Sequence, residues 1–226
     1  MKNVNDKKIR DMLVLLLVIL EPLLSILHFS QLPANIYLPI HWDISGKPDF
    51  WVDKELFLYV IIFFIILQIL FYVFYYFARY LFRDCKSNLS ATRNITVTMM
   101  LFCFGLQELF FLSTLWDKNI EMTRVATVGL GVFFIAIGNI MPTLKPNCWV
   151  GIRIKWTMED PEIWSIVHCS ASKLWVTGGG ILIICSFLFP IAYLGAMVLF
   201  SVFLFCLISC IQAWRLAKSK KYNIKI

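Results

Sequence analysis

Two polar, aromatic stretches interrupt an otherwise apolar chain, and they hold most of the residues able to do chemistry. The first contains His41, Trp42, Asp43, Gly46 and Asp49. An imidazole and two carboxylates are hard-to-intermediate ligands, so this trio can be read as a weak metal site. It can equally be read as turn chemistry, because Ser45-Gly46-Lys47-Pro48-Asp49 suits a tight turn with Gly46 at positive φ. The turn reading is adopted and no metal is assigned. Residues 37–42 favour an extended conformation. Tyr37, Trp42, Phe50 and Trp51 suit either the headgroup level of a bilayer or an aromatic surface that meets an apolar peptide.

The second stretch runs from Asn139 through Pro142, Lys145, Asn147, Gly151, Arg153, Trp156, Thr157 and Trp164 to His168. Asp160 is placed to cap a helix with Pro161 at its first position. Trp164 and His168, four residues apart, share one face of that helix. Arg153, Lys155 and Trp156 can contact an acidic or aromatic partner, or anchor to lipid headgroups. Two carboxylates, Glu21 and Glu108, lie inside apolar runs. Such residues mark an ion or proton path, a ligand site, or a hydrogen bond between helices.

No nucleophile, base or metal set with mutual geometry is visible, so no enzymatic activity and no cofactor are expected. The three histidines, His28, His41 and His168, belong to different depths. The phosphate-loop, G-x-S-x-G and H-E-x-x-H patterns are missing from the sequence. The seven cysteines include no C-x-x-C pair and fall mostly in or beside apolar runs, where they act as small hydrophobes.

These residues must be positioned by membrane helices. The chain has 226 residues, 60% of them hydrophobic and 15% charged, with mean hydropathy +0.76. A soluble fold of this size could not hide that apolar surface. Six spans are expected, at residues 12–32 (interrupted by Glu21-Pro22), 56–78, 95–116, 125–141, 174–188 and 191–214, with Pro190 turning the last pair. The fold class is an all-α polytopic bundle. The first run, although preceded by Lys7-Lys8-Ile9-Arg10, lacks a small-residue cleavage site and is read as a retained helix. Gly129, Gly131 and Gly138 in the fourth span and Gly178, Gly179 and Gly180 in the fifth predict that these two helices pack closely.

The formal net charge is +7. Its distribution orients the chain. Only Lys47, Lys54, Lys118 and Arg124 fall in one set of alternate segments; the remaining Lys and Arg residues fall in the other set and in the two tails. The positive-inside rule then puts both termini in the cytoplasm, with the 33–55 loop outside and the 142–173 loop inside. Basic blocks flanking apolar runs point to membrane lipid and not to direct nucleic-acid binding. Two modules are expected, a two-helix module over 1–94 and a four-helix module over 95–226.

The second stretch resembles the SdpI family of bacterial membrane immunity proteins. The shared signature is Asn139, Pro142, Lys145-Pro146-Asn147, Gly151-Ile152-Arg153, Trp156-Thr157, Trp164 and His168. The outer loop looks like a module that often opens such proteins, through Leu32-Pro33, His41-Trp42, Gly46 and Pro48-Asp49. Lys155 stands where the family usually has proline, and Cys169-Ser170-Ala171-Ser172 replaces its usual arginine and glycine pair. The resemblance implies self-protection against a secreted, membrane-active peptide toxin. It also implies a receptor role, in which toxin binding lets the protein hold a cytoplasmic repressor at the membrane. A membrane transporter and a scaffold without ligand are the other classes compatible with the residues.

Overall fold

The computed structural model describes residues 2–115 and 121–222. Its elements in order are α1 (Lys2–Gln31), β1 (Tyr37–Trp42), β2 (Pro48–Asp53), α2 (Lys54–Leu81), α3 (Lys86–Leu115), α4 (Met122–Ile140), a 3-10 turn (Met141–Thr143), α5 (Lys155–Glu159), α6 (Pro161–Leu188) and α7 (Ile191–Tyr222). Six of the helices are long and apolar enough to cross a membrane. The protein is a multi-pass membrane protein. Trp116, Lys118 and Lys225, which figured in the span and charge assignments, lie outside the described residues.

Each span is longer than its apolar run. The loop expected over 79–94 shrinks to a turn, because Lys86 to Asn94 already belong to α3. The helix expected at 161–173 is continuous with the fifth span, giving one 28-residue helix, α6. The 142–173 connection is therefore a loop only as far as Asp160. Hydropathy marks where lipid begins, whereas the backbone stays helical until a cap or proline stops it. Glu21-Pro22 does not break α1 either, which runs through Pro22. A proline within a span is tolerated where neighbouring helices re-satisfy freed backbone groups.

The six helices cross alternately, so the bundle has two distinct ends. At the hairpin end sit β1, β2 and the α6–α7 turn. At the motif end sit the 144–154 loop, α5 and the first turn of α3. The α4–α6 pair is held by glycines, as their spacing led us to expect. A methyl carbon on Gly131 would lie 2.7 Å from the Gly179 carbonyl, and one on Gly179 would lie 2.5 Å from the Gly131 carbonyl. Gly138 similarly meets Ser172 O. Not all six glycines do this work. Gly178 faces the Phe205 ring on α7, while Gly129 and Gly180 meet nothing within 4 Å. Gly179→Leu should force α4 and α6 apart, since the obstacle is backbone and cannot move aside. We expect a large loss of monodisperse protein in detergent gel filtration; unchanged yield would contradict this packing.

Candidate functional site

The hairpin is a two-stranded antiparallel sheet with the register Leu38 to Val52 and Pro39 to Trp51. Ile40 on β1 and Asp49 on β2 have no direct opposite, so the ladder is bulged at both. Leu38 and Val52 are buried with Leu32, Phe57, Ile61 and Phe111, which fastens the base of the hairpin to α2 and α3. Lys54 Nζ donates to Leu32 O at 2.6 Å and ties the two feet together.

Asp43 closes the tip. Its Oδ1 accepts from Ser45 N at 2.8 Å, Ser45 Oγ at 2.7 Å and Lys47 N at 2.9 Å. Gly46 follows at φ +82, the left-handed conformation its type was expected to allow. The tip is pressed onto the bundle. A side-chain carbon on Gly46 would collide with Ile191 and Thr123, at the starts of α7 and α4, and one on Gly195 of α7 would meet Ile44 O at 2.9 Å. His41 Nδ1 and Asp49 Oδ1 pair at 2.6 Å on the exposed surface of the hairpin. Asp43 is thus spent on the turn while His41 and Asp49 pair with each other. No group of three His, Cys, Asp or Glu residues able to hold a metal occurs among the described residues.

The hydrogen bond from the Ser45 hydroxyl, followed by that from the Lys47 amide, holds the Asp43 carboxyl below its ordinary value of 3.8. A depressed carboxylate stabilises the fold fully above that ordinary value and loses its contribution as pH falls through the folded-state value. The tip should therefore hold at neutral pH and loosen in acid, below about pH 4. Hydrogen exchange at Ser45 and Lys47, whose protection relative to the intrinsic rate should fall on acidification, is the check. Exchange independent of pH after correction for the intrinsic rate would oppose it.

Beneath the tip lies an apolar cavity of about 510 Å³ between α3, α4 and α7. Trp42 roofs it, packed against Phe110 with ring centroids 5.7 Å apart. Leu106, Leu109, Met122, Ala126 and Val198 are among its walls. A second hollow of about 410 Å³ shares Leu106, Leu109 and Ala126 and continues between α3 and α4 past Gly105 and Gly129. A side chain at either glycine would meet nothing within 4 Å. Exposed Leu101, Val125 and Val132 line the opening of this groove towards the lipid side.

At the other end the motif residues fold into a self-satisfied knot. Trp164 is completely buried and donates from Nε1 to Leu144 O at 3.0 Å. His168 stacks on it at 4.2 Å. The imidazole Nδ1 donates to Trp164 O at 2.8 Å, and Nε2 accepts from Ile152 N at 2.9 Å. A backbone carbonyl only accepts and an amide only donates, so the ring is the neutral Nδ1–H tautomer. Gly151, at φ +129, lets the loop pass over these rings; a side-chain carbon there would lie 2.6 Å from His168 Nε2. Asn147 Oδ1 accepts from Trp149 N and Val150 N, both at 2.8 Å. Thr157 Oγ1 donates to Ile152 O at 2.7 Å and accepts from Ile154 N at 3.1 Å, starting α5. Asp160 caps α6 and pairs with Lys220 of α7 at 2.7 Å. That Lys220 bond, more than the backbone amides, holds its carboxyl below the usual range.

Residues 143–212, which contain the motif loop, α5, α6 and most of α7, match the model of the SdpI/YfhL protein family. The match falls on the segment whose motif residues carry the resemblance. The chain is also 27% identical over 179 residues to Immunity protein SdpI of Bacillus subtilis (strain 168), an alignment covering 79% of this chain and 82% of that protein. No solved structure matches the chain.

The SdpI signature divides in two once it is folded. Asn147, Gly151, Thr157, Trp164 and His168 are spent inside the knot. Lys145 and Arg153 are exposed, as are Lys155 and Trp149, while Trp156 packs partly against Ile163, Val167 and Ala213. Asn139 and Pro142 are exposed at the end of α4. The hairpin lies outside the family match. Sequence reasoning missed two structural partners, Ser87 and Asn88. Asn88 Oδ1 accepts from Lys145 N at 2.7 Å and Ser87 Oγ donates to Thr143 O at 2.5 Å, so the first turn of α3 clamps the loop. Both residues sit in a stretch that reads as an ordinary polar turn, and nothing local signals the pairing.

Proposed function

We propose that this protein is an immunity protein, protecting the cell that makes it from a secreted membrane-active peptide toxin. The observation that carries this reading is the likeness, over 79% of the chain, to Immunity protein SdpI. The charge distribution supports an orientation with both termini in the cytoplasm and the hairpin outside. In that orientation the groove between α3, α4 and α7 opens near the outer surface. Its wall of Leu, Phe, Val and Ala suits the apolar face of a membrane-inserting peptide, packing as one more helix against small residues. Occupying the groove keeps the toxin from assembling in the bilayer. The hairpin, with His41, Trp42, Asp43, Gly46 and Asp49, shapes the entrance.

The cytoplasmic end supports a receptor role. Exposed Lys145, Arg153 and Lys155 with Trp149 offer a cationic, aromatic surface for a repressor bearing acidic residues.

The test is survival. A sensitive bacterium expressing the protein is challenged with the peptide toxin encoded nearest its gene, and compared with empty vector and with His41→Ala, Asp43→Ala and Arg153→Ala. Wild type should protect, and the hairpin variants should protect less at equal membrane abundance. Arg153→Ala should still protect while failing to recruit a repressor. Absence of protection by properly inserted wild type, against every candidate toxin, would remove the immunity reading.

A further inference from the structure

The half of the bundle away from the groove contains a polar cluster with no place in the reading above. Glu21 and Ser25 on α1, Gln68 on α2 and Gln107 on α3 are all at most 1% exposed. Glu21, Ser25 and His28 fall four and three residues apart, on one face of α1. The donors here are engaged elsewhere. Gln68 Nε2 donates to Met100 O at 2.9 Å, Gln107 Nε2 donates to Ser25 Oγ, and Ser25 Oγ donates to Glu21 O at 2.6 Å. The oxygens that remain are acceptors without a donor: both carboxyl oxygens of Glu21, and the amide oxygens of Gln68 and Gln107.

Gln68 lies beside the Glu21 carboxyl, and Gln107 reaches α1 through Ser25, one turn along. The neighbouring titratable groups offer no positive charge to Glu21. Glu108 and Cys103 approach from α3, and His28 Nδ1 lies 3.4 Å from the Glu108 carboxyl. Arg10 and Arg93 sit at the motif end, bonded to Ser90, Asn94 and Tyr75. A buried carboxylate with only the Gln68 amide near it, beside amide oxygens without a donor, forms an environment that lacks one positive charge. Oxygen-only ligands suit a hard cation and not a thiophilic metal.

We propose that the α1–α2–α3 core contains a small-cation site, in which Glu21, with the amide oxygens of Gln68 and Gln107, takes up one positive charge as a proton or as an alkali-metal ion. A proton on the carboxyl turns Glu21 into the donor that Gln68 Oε1 lacks. An alkali ion is held by the same oxygens. The site is separate from the groove, so its failure would leave the immunity reading untouched.

Infrared spectra of the protein in sodium-free lipid vesicles at neutral pH test this. A carboxylic-acid carbonyl band should be present in wild type, persist in Glu108→Gln and vanish in Glu21→Gln. Gln68→Leu, which keeps the carboxyl, should shift the band to higher frequency, and this arm stands even if Glu21→Gln does not fold. A band indifferent to added sodium chloride identifies the proton as the ligand. A band that converts to carboxylate with sodium chloride but not with choline chloride identifies the alkali ion. A wild-type carboxylate that shows no acid band and no response to sodium would overturn the proposal.

Discussion

Trp164→Ala should be the most destabilising single substitution at the motif end, at about 3–5 kcal/mol, the range for emptying a buried aromatic site. The indole is completely buried between Ala91 and Leu144, so its loss leaves a cavity. It also leaves Leu144 O without its donor and His168 without its stacking partner. His168 in turn holds Ile152 N, so the loop loses its anchor in the same step. Trp164→Phe should be milder, close to the roughly 1 kcal/mol of a single hydrogen bond plus a small packing defect. Thermal unfolding in detergent, followed by intrinsic fluorescence, gives both values. A Trp164→Ala protein as stable as wild type would mean that the loop is held by something other than this knot.

Filling the groove should abolish protection without harming the fold. Gly129→Phe and Gly105→Phe place rings where a side-chain carbon meets nothing within 4 Å. Phenylalanine also has higher helix propensity than glycine, by a few tenths of a kcal/mol, which favours α4 and α3. Either variant should be made, inserted and monodisperse at wild-type levels. Its protection should nevertheless fall towards that of empty vector, because the toxin's packing surface is occupied. The contrast with Gly179→Leu is the control. Both replace a glycine with a large residue, but only the α4–α6 glycine opposes backbone. If Gly129→Phe protects as well as wild type, the toxin does not enter between α3 and α4.

The spans and their number are readable from apolar run lengths, since a bilayer demands about 20 residues per crossing. Their ends are not. Nothing in Lys86–Asn94 is apolar enough to signal helix, whereas the helix starting at Pro161 was legible from its Asp160 cap and only its continuity with the fifth span was not. Gly46 at a turn was legible, as was the extended 37–42 strand. The second strand was not, because it begins with Pro48-Asp49, residues that strands usually avoid. Proline is acceptable at the first position of an edge strand, where it sits here. The motif residues were legible by type, and Trp164 and His168 by spacing. Their burial was not, because the partners, Leu144 O and Ile152 N, are backbone atoms of a loop. The groove left no local signal. Gly129 reads as a packing glycine like Gly131, two residues away, and only the helix rotation separates their roles.

Site-directed photocrosslinking tests the central claim most directly. A photoreactive side chain is placed at Leu109, inside the groove, and at Tyr59, which is exposed on α2. Membranes carrying each variant are irradiated with the peptide toxin encoded nearest the gene. The account expects a toxin adduct at position 109 that Gly129→Phe suppresses, and little at position 59. Equal adducts at both positions, or protection in cells with no adduct at 109, would contradict it.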